Sequence, residues 1–332
     1  MRIIGSSAHS PRMTDAALLE RALELAERGR GTTAPNPVVG AVLVRDGEIV
    51  GEGWHGRAGL RHAEIVALEA AGERARGATL YITLEPCAHH GRTPPCTDAL
   101  VASGVSRVVA AVGDPNPETN GAGFDRLRAA GVTVELPGGE IEWRGRAQNE
   151  AYRTWVARRR PFVTYKAAVT VDGRVTVPGS RWVTGEESRR RVHELRAQVD
   201  AVAVGMGTVR ADNPQLTARD VGAERQPRRL AFGGGPLPAG SKLELVEGPL
   251  DEALARLAGE GVQSLLLEGG PTLATSFLAG GLVDKLLLFV APTLAGSGPR
   301  WLGKPPEPVE LLHVRTEPVG GDYLVSAYVR EP

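Results

Sequence analysis

Residues 78–96 read ATLYITLEPCAHHGRTPPC. The run ATLYITL is short, apolar and rich in β-formers, and it stops at Pro86, as a buried strand does. Cys87 and Cys96 follow, the only two cysteines in 332 residues, with eight residues between them. HAEIVALEAAGERA (62–75) before this segment and TDALVASGV (97–105) after it carry helical patterning. Further on, SRVVAAVGD (106–114) reads as a strand, and GFDRLRAAGVTVEL (123–136) as a helix and then a strand. Upstream, VVGAVLV and EIVGEG flank Arg45-Asp46-Gly47, and Asp-Gly between β-rich runs signals a hairpin. Thr14 or Asp15 caps a helix whose apolar residues recur every three or four positions. Strands alternating with helices predict an α/β fold with a mostly parallel sheet. Residues 1–12 precede this pattern and read as a loose arm or a misassigned start.

A chain of 332 residues exceeds the size at which one hydrophobic core stops growing, so two domains are expected. RAQNEAYRTWVARRRPF (146–162) reads as one helix ending in a basic run before Pro161. It places the boundary between a domain at 13–157 and another at 158–332. The second half repeats the rhythm with different residues. PFVTYKAAVTVDG (161–173) gives a strand and turn, GEESRRRVHELRAQV (185–199) a charged helix, and DAVAVGMGT (200–208) a strand entering a glycine turn. SLLLEGGPTLATSFLAGGLV (264–283) gives strand, glycine turn and helix, and DKLLLFVAPTL (284–294) another buried strand.

Lys and Arg number 39 and Asp and Glu 39, so no global field draws the chain to nucleic acid or an anionic membrane. Any anionic ligand must be met by a local cluster. No run approaches the roughly 18 apolar residues of a membrane span, and the start lacks the apolar core of a secretory signal. A cytoplasmic location is the default expectation.

His62, Cys87 and Cys96 supply one imidazole and two thiolates, a donor set suited to zinc. Three protein ligands leave one position for water, whose pKa zinc lowers to roughly 7. Glu64, two residues beyond His62, is placed to move protons without binding the metal. His-x-Glu with Pro-Cys is a known signature of zinc deaminases acting on nucleobases. Residues i and i+2 do not share a face of a regular helix, so the pair should lie at the helix mouth. Cys87 should likewise open a helix or turn, where unpaired N–H groups favour a thiolate. The spacer between the cysteines is longer than the two residues of that signature. It carries His89, His90 and Arg92, which suit a polar or phosphorylated ligand. Asn36 before the first strand and His55 after the second are turn and surface residues on one reading, site residues on another. A nucleic-acid-editing deaminase, and a structural zinc site completed by His89 or His90, are the alternatives at this point.

Taken together, TAPNPVVGAVLV, HAE, TLEPCAHHGRTPPC, GDPNP, KAAVTVDG, SRWVTG, VGMGTVRADNPQLTAR and LLLEGG make the chain resemble a known family. It is that of the bacterial bifunctional riboflavin-biosynthesis enzymes, in which a pyrimidine deaminase is fused to a reductase. The resemblance spans about residues 14–300. It implies a cytidine-deaminase-like α/β/α domain followed by a dihydrofolate-reductase-like α/β domain. The implied chemistry is zinc-dependent hydrolysis of the 2-amino group of a diamino-ribosylamino-pyrimidinone 5′-phosphate, then NADPH reduction of the ribosyl group to ribityl. The partners implied are this small phosphorylated pyrimidine and copies of the chain itself, as dimer or tetramer, with no nucleic acid or membrane.

By resemblance Asn36, His55, His89 and Asp114 meet the deaminase substrate. Ala168, Trp182, Thr184, Thr208, Asp212 and the run Gly270, Pro271, Thr272, Leu273, Ala274, Thr275, Ser276 line the NADPH site. Ser180, Arg196, Leu216, Arg219 and Glu268 meet the reductase substrate. The chemistry of the second half agrees in part. No G-x-G-x-x-G follows a strand, but glycine turns at Gly205-Met206-Gly207 and Gly269-Gly270 open helices, where phosphate can approach bare N–H groups. Lys166 points to a phosphate or to solvent. One departure stands out. The family's Asp-Ser pair after a strand is replaced by Phe232-Gly233-Gly234-Gly235, removing a hydroxyl expected near the cofactor and bearing on NADPH over NADH preference.

Overall fold

The computed structural model describes residues 13–89, 94–117, 119–304 and 307–332. The N-terminal arm, His90 and Arg92 therefore lie outside the described residues. The chain divides into two compact units, the first ending at Asn149 and the second beginning at Glu150.

In the first unit the order is α1 (Asp15–Glu27), β1 (Gly40–Arg45), β2 (Glu48–Trp54), α2 (Ala63–Ala71), β3 (Thr79–Ile82), α3 (Cys96–Ser103), β4 (Arg107–Ala110), α4 (Ala122–Ala129), β5 (Thr133–Glu135) and α5 (Gly139–Gln148). Thr14 caps α1, its hydroxyl accepting from the Ala17 N–H at 3.2 Å. Asp46 and Gly47 both take positive φ (55° and 86°), the backbone that a two-residue hairpin demands. The sheet runs β2-β1-β3-β4-β5; β1 is antiparallel to both neighbours, and β3, β4 and β5 are parallel. Side chains alternate across it. Ala41, Leu43, Leu80, Ile82, Val108 and Ala110 face the apolar residues of α2, α3 and α4. Val42, Tyr81, Val109 and Ala111 face α1 and Ile141 of α5. The expected α/β/α sandwich results.

In the second unit α6 (Glu150–Arg158), β6 (Phe162–Thr170), α7 (Glu186–Gln198), β7 (Ala201–Gly205), α8 (Met206–Asp212), β8 (Arg228–Phe232), β9 (Glu244–Val246), α9 (Leu250–Gly259), β10 (Ser264–Leu267), α10 (Pro271–Ala279), β11 (Lys285–Ala291), β12 (Leu312–Val319) and β13 (Asp322–Tyr328) follow in turn. Eight strands run in the order β12-β13-β11-β6-β10-β7-β8-β9. The pairs from β11 to β9 are parallel, and β13 is antiparallel to β11 and β12. α9 and α10 cover one face over Tyr165, Leu230, Phe232 and Leu267. α7 and α8 cover the other over Val202, Val204, Leu287 and Phe289. Among the described residues no helix is long and apolar enough to cross a membrane.

Two elements depart from the sequence reading. The single helix expected over 146–162 is two, α5 and α6, broken at Asn149. The Asn149 side chain is buried and acts as a surrogate strand partner: its Oδ1 accepts from the Val38 N–H and its Nδ2 donates to the Val38 carbonyl, both at 2.9 Å. The β12–β13 hairpin was not anticipated, although Gly320-Gly321 is a turn signal of the same kind as Asp46-Gly47.

The position of α2 depends on missing side chains. A β-carbon on Gly53 of β2 would overlap the Ala63 carbonyl and stand 2.6 Å from the Ala67 nitrogen; one on Gly51 would overlap the Ala67 carbonyl. The first turn of α2, which follows His62, therefore rests directly on strand backbone. Gly53→Ala is expected to lower stability by at least about 1–3 kcal/mol through overpacking, read as a drop in thermal midpoint. An unchanged midpoint would mean that α2 is free to shift outward.

Candidate active sites

His62 is the residue before α2, with extended backbone (φ −71°, ψ 161°), and Glu64 lies in the first turn. The pair does occupy the helix mouth. Cys87 sits in the irregular segment after β3, and Cys96 is the first residue of α3. Cys87, expected to open a helix or turn, lies in irregular backbone, and it is Cys96 that opens a helix. The electrostatic consequence is retained by another route, because the Cys96 backbone N–H, at the start of α3, donates to Cys87 Sγ at 3.3 Å.

The three donor atoms of His62, Cys87 and Cys96 all lie within 4.8 Å of one another. His62 Nδ1 is 3.2 Å from Cys96 Sγ and 3.7 Å from Cys87 Sγ. Ligands about 2.0–2.3 Å from a tetrahedral centre stand roughly 3.3–3.8 Å apart, so the set fits a zinc ion bound through Nδ1. Among the described residues no fourth side chain joins the cluster. The Cys96 thiol and backbone N–H and the His62 ring hold the Cys87 thiol down to about 4. Glu64 is buried, 3% exposed, against the Cys96 sulfur. Burial, then the Cys87 charge, push its carboxyl up to about 7, near the range useful for proton transfer.

Asn36 and His55 are brought together beside this cluster. His55 is buried; its Nδ1 lies 3.1 Å from the Arg61 carbonyl, which can only accept, so Nδ1 carries the proton. Nε2 then accepts from Asn36 Nδ2 at 3.1 Å. Burial lowers the His55 pKa and keeps it neutral. Its ring meets the His62 ring edge-on, with centroids 5.3 Å apart. His89 is exposed on the loop after Cys87. Asp114 is occupied locally, Oδ1 accepting from the Asn116 N–H and Oδ2 from the Thr119 hydroxyl.

Sequence reasoning passed over Glu85. Its buried carboxylate accepts four backbone N–H bonds, from Asp114 and Gly121 on one oxygen (both 3.1 Å) and Gly123 and Phe124 on the other (2.8 and 3.3 Å). It thereby caps α4 and ties the 113–121 loop to the segment that carries Cys87. A β-carbon at Gly123 would overlap the Pro86 carbonyl, so the fit has no slack. The signal available was an acidic residue ending a strand whose neighbour strand ends in a glycine loop.

In the second unit a cavity of about 730 Å³ opens at the carboxyl ends of β6, β7 and β10, where ligands of parallel sheets bind. Its wall includes Ala168, Trp182, Thr184, Thr208, Asp212, Gly270 and Pro271 from the expected cofactor set. It also includes Arg196, Leu216, Arg219 and Glu268 from the expected substrate set. Ser180 and the run Thr272–Ser276 do not line it. The Ser180 hydroxyl donates to the Trp182 carbonyl at 2.7 Å. Ala274 is buried in the core, and Leu273 packs against Gly205 and Gly269. Only the start of α10, at Gly269, Gly270 and Pro271, reaches the cavity; the Gly205 turn is a packing contact that delivers Thr208 and Asp212. The Gly270 end of α10 and the size of the space suit a phosphate-bearing cofactor.

Lys166 lines this cavity as well, and there it is paired with a carboxylate. Its Nζ lies 3.5 Å from Glu268, which also takes a two-pronged bond from Arg196 at 2.6 and 3.0 Å. Burial alone would raise the Glu268 carboxyl, but the Lys166 and Arg196 charges pull it down to about 2. It stays ionised and fixes both cations. Leu216, buried in the same wall, holds φ at 51°, a strained conformation for its residue type.

Glu85→Gln sets an amide group against two of the four N–H donors. Zinc affinity is expected to fall by about 10- to 100-fold, as for other residues that orient metal ligands. Competition with a chromophoric chelator reads it, and an affinity equal to that of the unaltered chain would show the Cys87 segment to be held by other means.

Residues 12–112 match the family described as the cytidine and deoxycytidylate deaminase zinc-binding region, and residues 161–234 and 240–325 the RibD C-terminal domain. Riboflavin biosynthesis protein RibD of Aquifex aeolicus is 46% identical over 269 residues, 78% of this chain and 75% of that one. The Escherichia coli protein of that name is 50% identical over 209 residues, 62% of this chain and 56% of the other. Among solved structures, Acinetobacter baumannii RibD superposes with a TM-score of 0.86 at 36% identity, covering 95% of this chain and 98% of that one. A Thermotoga maritima diaminohydroxyphosphoribosylaminopyrimidine deaminase/5-amino-6-(5-phosphoribosylamino)uracil reductase gives 0.81 at 34% identity, with the same coverage. A zinc-binding deaminase unit and a reductase unit in one polypeptide, matched by relatives along nearly its whole length, place this chain in the RibD family of bifunctional riboflavin-biosynthesis enzymes.

Proposed function

We propose that the first unit removes the 2-amino group of 2,5-diamino-6-ribosylamino-4(3H)-pyrimidinone 5′-phosphate by hydrolysis. In the same reading the second unit reduces the ribosyl side chain of the product to ribityl with NADPH. The observation that carries the first half is Glu64, a buried carboxyl against a cluster of one nitrogen and two sulfur donors yet outside it. His62, Cys87 and Cys96 hold the zinc, which supplies a water acidified to a pKa of about 7. Glu64 takes a proton from the attacking water and delivers it to the departing amine, so ammonia leaves and the ring keeps the oxygen. Asn36 and His55, mutually oriented, His89 and Asp114 are assigned to the pyrimidine and its sugar phosphate. The neutral His55 adds no charge beside the metal.

In the second unit Ala168, Trp182, Thr184, Thr208, Asp212, Gly270 and Pro271 are assigned to NADPH, with Arg196, Leu216, Arg219 and Glu268 assigned to the substrate. Thr272, Leu273, Ala274, Thr275 and Ser276, which continue α10 from Pro271, keep their assignment to NADPH and Ser180 its assignment to the substrate, although none of them lines the cavity. The Arg196–Glu268–Lys166 cluster holds fixed, largely buried charges in the wall, where they cost little reorganisation when substrate charge arrives. Assembly as a cytoplasmic dimer or tetramer belongs to the same reading. β12, at the sheet edge with most of its residues exposed, is a surface that such an assembly has available.

Glu64→Gln should retain stoichiometric zinc while deamination falls by at least about 100-fold, the scale of a lost proton-transfer group; NADPH-dependent reduction of the pre-formed uracil should be unaffected. Mass analysis of the products separates the two activities, and near-normal deamination would remove Glu64 from this role. Cys87→Ser should lose most of its zinc by elemental analysis, and a full complement of metal there would refute the ligand assignment.

A further inference from the structure

α7 presents Arg189, Val192, His193 and Arg196 to the cavity, the spacing of one helix face. His193 has no part in the reading above. Its Nδ1 lies 2.9 Å from the Thr217 carbonyl and therefore donates to it, whereas the Arg219 backbone N–H, at 3.5 Å, is too long to compete. Nε2 is thereby left as the ring's acceptor, with no hydrogen-bond partner among the described residues. Burial, reinforced by the charges of Arg196 and Arg219, lowers the pKa of the ring, so it is neutral at pH 7. The neighbouring cations differ in availability. Arg196 is committed to Glu268, while Arg219 has, among the described residues, only Asp220, at 3.9 Å, within ion-pair reach. A neutral acceptor beside guanidinium donors complements a ligand that carries hydroxyl and anionic groups together, which describes a sugar phosphate.

We propose that His193 is a specificity residue of the reductase site, its Nε2 accepting a hydrogen bond from a hydroxyl of the substrate's sugar phosphate. The inference rests on the second unit being a reductase of a ribosyl phosphate. Thr217 fixes the ring, as a carbonyl behind a site histidine commonly does, and α7 sets its height between the two arginines. The residue acts on substrate binding and takes no proton from it.

The full-length enzyme, given NADPH and the deaminated ribosylaminouracil phosphate directly, tests this through three substitutions. His193→Ala should raise KM for the substrate roughly three- to tenfold, the worth of one net hydrogen bond. KM for NADPH and deaminase turnover should stay as they are. His193→Gln, whose amide reaches the place of Nε2, should recover most of the loss. His193→Asn, whose amide overlays Nδ1 and keeps only the Thr217 contact, should not. An unchanged substrate KM in the alanine variant, an equal rise in the NADPH KM, or rescue by asparagine and not glutamine would overturn the proposal and leave the reductase reading standing. A wild-type enzyme that oxidises no NADPH on this substrate would overturn that reading and this inference with it.

Discussion

A carboxylate removed from water has to be met by donors, and each site in this protein is arranged around one that is. Glu85 is met by four backbone N–H groups from the loop and helix that follow β4. Glu268 is met by the Arg196 fork and by Lys166. The two solutions suit different tasks. Backbone donors carry no mobile charge, so Glu85 locks a metal-bearing segment in place without adding a cation beside the zinc ligands. Side-chain cations neutralise Glu268 yet remain polar, so they shape the electrostatics of a cavity that has to accept a phosphorylated ligand. Removing a partner in either case would strand a buried charge or several N–H groups, a cost of about 3–5 kcal/mol for an ion pair of this kind.

The clustering of His62, Cys87 and Cys96 with Glu64 beside them was legible in the sequence because their chemistry is restrictive. Two cysteines in the whole chain, a histidine and a glutamate two residues apart, and a proline ending a strand leave few other uses. What was misread turns on backbone geometry. Cys87 and Cys96 look alike in sequence, and only the backbone that follows each of them decides which opens α3. Asn149 was hidden inside a helical pattern, since its side-chain bonds go to Val38, 111 residues away. The Thr272–Ser276 run was overextended because a glycine turn marks where a helix begins and not which of its turns faces a cavity. Gly270 and Pro271 reach the opening because they form the helix mouth; Ala274, one turn further along the same side, already lies in the core.

The overall net charge is zero, and the second cavity is nonetheless lined with cations. α7 shows how both hold. Its sequence, EESRRRVHELRAQ, reads as a charged amphipathic helix. Helical periodicity divides it: Arg190 and Arg191 reach Glu194 at 3.3 and 3.4 Å on the exposed side, while Arg189, His193 and Arg196 turn to the cavity. The inward residues are then individually restrained, Arg189 by the Thr184 carbonyl, His193 by Thr217 and Arg196 by Glu268. Trp182, 48% exposed, has the Arg181 and Arg189 guanidinium groups each about 5 Å from its ring. Restraint of this sort lowers the entropy lost when a ligand arrives. It also explains why a neutral chain needs no long-range field to hold a phosphorylated substrate: a handful of forks and one neutral acceptor, fixed before binding, replace it.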